Sequence, residues 1–161
     1  MKIKPTGAFR GPGSARRSGG FRMAGPSSPV EAGAEPGFRD NKTWQEAMDL
    51  AEKIFRFTET WKGASRTALA AVLRESAAEI PAMTAYAHTL VQRDSQLEAL
   101  QGARAELSRL ETLIELAGRL GYCAQEENAE WLKSVQAIGV LLTRQIQRME
   151  AQRAVALEEA P

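Results

Sequence analysis

The side chains that could do chemistry in this chain are few: one histidine, His88, one cysteine, Cys123, and the carboxylates Glu126, Glu127 and Glu130. Clustered carboxylates serve general acid–base catalysis or a di-metal centre. A bundle-type di-metal centre needs Glu-x-x-His on two helices, and a single histidine cannot supply it. His88 has no Cys or second His at ligand spacing, so a structural or surface role is expected. Cys123 has no evident electropositive partner to activate it, so a partly buried turn residue is expected. The sequence has no Gly-rich phosphate loop, no H-E-x-x-H and no nucleophile elbow, and triad chemistry has too few parts. The three glutamates have a simpler explanation, since negative charge in the first turn of a helix is favoured by the macrodipole. We therefore expect no enzyme, no catalytic or metal-binding residue, no cofactor and no small-molecule substrate.

The other available chemistry is cationic. Residues 1–37 carry six basic and two acidic residues, for a charge of +4, whereas residues 38–161 carry 15 basic and 18 acidic, for −3. In the first segment Arg10, Arg16, Arg17 and Arg22 are interleaved with glycine and with Phe9 and Phe21. Such a pattern could track an RNA backbone, and a start at Met23 would remove it. Arg144 and Arg148 recur at one helical turn near the C-terminus, and Arg93 lies between two helix patterns; with the four tail arginines these are the candidate RNA contacts.

These groups have to be positioned by helices. The first 37 residues, rich in Gly, Pro, Ser and Arg, cannot bury enough surface to offset their ordering entropy and are expected to be disordered. From residue 38 the chain is rich in Ala, Leu, Glu, Arg and Gln, a helix-forming composition. Leu107, Leu110, Ile114, Ala117 and Leu120 form an amphipathic stripe that ends at Gly121, a glycine stop onto which Tyr122 can fold. A first helix is expected after a capping box at Thr43-Trp-Gln-Glu46, ending at Gly63. A second is expected from Ser65, bent at Pro81. A third should start at Asp94 and Ser95-Gln-Leu-Glu98, and a fourth runs through Trp131, Val135, Ile138, Leu142, Ile146 and Met149 before fraying over 154–161. Short loops make neighbours antiparallel, so the expected fold is all-α: an up-down-up-down four-helix bundle over 38–153.

Helix one carries two apolar stripes, Trp44, Met48, Ala51, Phe55 and Thr58 on one side and Leu50, Ile54, Phe57 and Trp61 displaced around it. One bundle core needs only one such stripe, so the second (Leu50, Ile54, Phe57 and Trp61) is the candidate self-association surface. No run of 18 apolar residues offers a membrane span, no apolar stretch suggests a secretory signal, and a lone cysteine fits a reducing compartment; a cytoplasmic protein is expected.

Several stretches taken in order, Phe38-Arg-Asp40, Trp44-Gln-x-Ala-Met-x-Leu50, Ile80-Pro-Ala82, Ala103-Arg104, Leu110-Glu-Thr112 and Arg119-Leu-Gly-Tyr122, resemble the four-helix-bundle proteins encoded in intervening sequences of 23S ribosomal RNA genes. The resemblance spans about residues 38–150. It implies an antiparallel bundle that assembles as a ring-shaped homopentamer without known enzymatic activity. Through its superfamily it also implies, as an alternative, an accessory subunit of the reverse transcriptase of a diversity-generating retroelement. A purely protein-binding module is a further alternative. The chain departs from the family pattern after Pro81, where Met83-Thr-Ala-Tyr-Ala87 replaces Asn-Ile-Ala-Glu-Gly, at Val91-Gln-Arg93, where a basic pair is thinned, and at Ala124, where a capping serine is usual.

Overall fold

A computed structural model describes residues 37–158. A single 3-10 turn at Phe38–Asp40 leads into four helices, α1 (Lys42–Thr58), α2 (Ala64–Thr89), α3 (Arg93–Arg119) and α4 (Gln125–Glu158), with no strand among the described residues. The expected tail arginines, Arg10, Arg16, Arg17 and Arg22, lie outside the described residues.

Cross-helix contacts fix the directions. Asn41 meets Gln145 while Lys53 meets Glu130, so α1 and α4 run antiparallel. Ser76 donates to Glu106 at 2.6 Å and Met83 lies over Gly102, which sets α2 against α3. Asn128 reaches the Ile114 carbonyl at 2.7 Å while Arg153 reaches Asp94 at 3.1 Å, which sets α3 against α4. Each helix packs on the next, and α1 closes against α4, giving the expected bundle. Its core is made of Leu50, Ile54, Leu73, Ile80, Leu107, Leu110, Ile114, Ile138 and Leu142, all essentially inaccessible.

The glycine stop of α3 forms as expected. Gly121 takes a positive φ of 64°, its N–H donates to the Gly118 carbonyl, and the Tyr122 N–H donates to the Ala117 carbonyl at 2.9 Å. These two bonds satisfy carbonyls that the helix end would leave orphaned. Gly121→Ala has open space for its methyl but must hold a left-handed backbone, so it should cost about 1–2 kcal/mol in urea unfolding.

Three helix starts differ from expectation. Asn41, not Thr43, caps α1: its side-chain oxygen accepts from the Thr43 N–H at 2.9 Å, and Thr43 itself is buried one turn inside. Asn is at least as good a cap as Thr, and its position leaves the Thr43 methyl free to pack. Gly63, with φ 97°, precedes α2 instead of Ser65, and Gln92 precedes α3 without any side-chain cap. The second helix is continuous through Pro81, whose ring is buried. Helix α4 continues through Glu158 with residues 151–158 all exposed, because Ala151-Gln-Arg-Ala-Val-Ala-Leu-Glu158 is rich in strong helix formers.

The segment that departs from the family pattern is used in packing. Met83 is half-buried, and a Cβ at Gly102 would come within 2.7 Å of its Cε, so the absent side chain on α3 makes room for the long one on α2. Thr84 and Ala87 are buried, and the Thr84 hydroxyl donates back to the Ile80 carbonyl at 2.8 Å.

Candidate functional site

The proposed interface residues on α1 do not face solvent. Leu50 and Ile54 are 2% and 0% exposed, Trp61 is buried and Phe57 half-buried. All four belong to the protomer's own core, which corrects the sequence reading. The aromatic pair closes one end of the bundle: Phe57 meets Trp131 edge-to-face with ring centroids 5.2 Å apart, and Trp61 meets Tyr122 at 5.6 Å. Arg66 at the start of α2 covers the Tyr122 ring at 4.9 Å. Trp131 and Tyr122 come from segments distant in sequence, so the inward face of α1 was set by partners its own periodicity cannot name.

The surplus apolar surface is part of the other stripe, whose Ala51 and Thr58 are buried. Met48 and Phe55 are 42% and 40% exposed, and Trp44, half-buried against the Phe38 ring, continues their line. On the adjoining flank of α2, Arg74 lies over the Phe55 ring at 5.7 Å while its Nε donates to the buried Thr58 hydroxyl at 2.7 Å. Beyond Arg74 the exposed residues Ala71, Ala78 and Ala82 recur at helical spacing with the exposed Glu75 among them, so this shoulder combines large apolar side chains with small ones and one carboxylate.

The arginines divide between two places. Arg93 and Arg148 line one shallow groove with Ala151, Gln152, Val155 and Ala156, where the start of α3 meets the projecting end of α4. Arg144 lies elsewhere, in an α3–α4 groove of about 490 Å³ with Arg104, Glu111, Gln136 and Gly139. Arg104 had not been singled out as a nucleic-acid contact, because its partner across the groove is 40 residues away in sequence.

Two of the three carboxylates fall where the helix-start argument put them, and Glu130 lies in the next turn of α4. Glu126 and Glu127 are in the first turn of α4. Glu130 pairs with Lys53 at 2.9 Å; the hydrogen bond from that lysine holds its carboxyl below the usual range, and the same bond raises Lys53. Both side chains are half or more exposed, so the contribution to stability is small. Burial pushes the Cys123 thiol up, against an opposing hydrogen bond from Asn128, which makes it a poor nucleophile. His88 is exposed. Among the described residues no cluster of His, Cys, Asp and Glu is arranged to hold a metal, and no helix is long and apolar enough to cross a membrane.

Sequence reasoning also missed a pocket at the end of the bundle where α1 begins. Residues from α2, α3 and α4 and the N-cap of α1 line it: Asn41, Thr84, Ala87, His88, Gln96, Leu100, Gln145, Arg148 and Met149, around about 380 Å³. Nothing local tied Asn41 to Gln145, 104 positions on.

Comparison with curated proteins gives no match. A family model described as 23S rRNA-intervening sequence protein matches residues 39–144, taking in α1, α2 and α3 whole and α4 as far as Arg144. With two thirds of its length matched and a four-helix bundle built on those residues, this chain belongs to the 23S rRNA-intervening sequence protein family.

Proposed function

We propose that this protein is a non-catalytic, self-associating module that acts in the cytoplasm and contacts RNA or an RNA-bound partner. The observation that carries the reading is the exposed shoulder of Trp44, Met48 and Phe55 beside the alanines of α2, an apolar face that the protomer leaves uncovered. Copies meeting through this face and a different one would close a ring, and a ring of five is the stoichiometry the family resemblance implies. The groove shared by Arg93 and Arg148 supports the RNA part of the reading, since no carboxylate lines it. An accessory role beside a reverse transcriptase is one form that such a contact could take.

Light scattering on the full chain tests the assembly. The native mass should be a multiple of the 17.6 kDa protomer, and the double variant Met48→Glu, Phe55→Glu should reduce it to one protomer. Because both positions are substantially exposed, each substitution should change unfolding by only about 0.5 kcal/mol. A wild-type chain that runs as a single protomer, or a double variant that keeps the wild-type mass, would overturn the reading.

A further inference from the structure

Two half-buried guanidinium groups are held in place by neutral neighbours. On α2, Arg74 donates from Nε to the Thr58 hydroxyl at 2.7 Å and lies over the Phe55 ring. On α3, Arg104 donates from Nη1 to the Ser108 hydroxyl at 2.9 Å. Its Cζ also lies 3.9 Å from where a Cβ on Gly139 would stand, so a long side chain at that place on α4 would displace it from the α3–α4 groove. Among the described residues neither arginine is in a salt bridge. A guanidinium fixed in this way loses little freedom when a carboxylate meets it.

The surroundings of the two groups carry opposite signs. On the α1–α2 shoulder, Met48, Glu52, Phe55 and Glu59 follow one another at i, i+4, i+7 and i+11, so two exposed carboxylates accompany the exposed apolar pair on one face. Glu52 pairs only with Arg56 on its own helix, and both are well exposed, so that pair is easily exchanged for another. Arg56 and Glu75, also exposed on the shoulder, offset one another. In the groove, the half-exposed Val140 stands with Arg104 and Arg144, and Glu111 joins them from α3. Two acids and one base around apolar side chains on the shoulder thus answer two bases and one acid around an apolar side chain in the groove. The carboxylate of Glu111 and the exposed Val140 suit a protein surface better than a phosphate backbone.

We propose that the α3–α4 groove receives the α1–α2 shoulder of a second copy of this chain, with Met48 and Phe55 against Val140, Glu52 and Glu59 on Arg104 and Arg144, and Arg74 on Glu111. This pairing supplies the second face that the self-association proposed above requires, and it rests on that reading. The two surfaces share no helix and lie on opposite sides of the bundle, since α2 packs on α3 and α1 on α4 between them. The contact is therefore heterologous: every copy offers its shoulder to one neighbour and its groove to another.

Light scattering of the full chain over a range of concentrations tests the pairing, with circular dichroism to follow the fold. Reversing the groove (Arg104→Glu with Arg144→Glu) or the shoulder (Glu52→Arg with Glu59→Arg) should raise the concentration at which copies associate by at least about tenfold, because each sets like charges face to face. The chain carrying all four substitutions should associate at the wild-type concentration again, a recovery that loss of folding does not imitate. Should Arg104→Glu disturb the packing of α3 on α4, Val140→Lys, at a half-exposed position, obstructs the groove at its apolar centre and should weaken association in the same way. A wild-type chain that stays a single protomer overturns this pairing together with the reading it rests on. If Met48→Glu with Phe55→Glu gives single protomers while the groove variants associate as the wild type does, the shoulder stands and its pairing with the groove falls. The pairing also falls if the folded chain with all four substitutions associates no better than the two reversals. It falls equally if the groove reversal keeps the wild-type mass and instead abolishes binding of a labelled single-stranded RNA, which would assign the groove to RNA.

Discussion

Ile54→Asp should leave no folded protomer. Ile54 is wholly inaccessible and belongs to the hydrophobic core, so an aspartate there would be buried among apolar side chains. Burying an unpaired charge is among the few substitutions expected to cost about 4–5 kcal/mol or more, a large part of the margin of a domain of this size. Circular dichroism should show loss of helix at 25 °C. The result also discriminates between two readings of α1. If Ile54 belonged to a contact between copies, the variant would be a folded single protomer with its helical signal intact. Phe55→Asp, one residue on and around the corner of the helix, should retain the fold.

The second large effect is expected at the opposite end of the bundle from Asn41. Trp131 is 3% exposed and its ring is met edge-on by Phe57, which in turn meets Trp61 at 6.3 Å. Trp131→Ala removes one of the two tryptophans in this cluster and leaves a cavity among the remaining rings. The cost should be about 3–5 kcal/mol in denaturant unfolding. Val140→Ala, on the same helix but half exposed, should change stability by about 0.5 kcal/mol at most and serves as the control. Equal midpoints for the two variants would mean that the aromatic cluster does not hold this end together.

Much of this architecture was legible in the sequence because it rests on local rules. The period of α3 and the glycine that ends it are both readable within 20 residues, and the structure places Leu107, Leu110, Ile114 and Ala117 inward as that period requires, while Leu120, at the end of the stripe, is half exposed. The acidic first turn of α4 is likewise a local electrostatic preference. Exact helix starts were less accessible, since Asn41 and Thr43 are both good caps and only the packing of Thr43 between helices decides which one serves.

The site was far less legible. Helix α1 carries apolar residues around nearly half its circumference, and periodicity alone cannot say which part turns inward. That choice was made by Trp131 and Tyr122, which draw Phe57 and Trp61 into the interior and leave Met48 and Phe55 outside. The grooves behave in the same way. Arg93 and Arg148 are brought together by the antiparallel run of α3 and α4, whereas Arg144, one turn from Arg148, joins Arg104 on a different groove. Spacing along one helix assigned Arg144 and Arg148 to one role, and the neighbouring helices divided them.

The bond from Gln145 to Asn41 joins the beginning of the first helix to the last one. Because α1 lies beside α4, the four rods form a closed circuit in which no particular corner is privileged as the start. The backbone enters the bundle beside the level of Gln145, and α4 continues about 20 Å past that level to Glu158. Among the described residues, entry and exit thus share one pole, next to the cleft lined by His88 and Arg148.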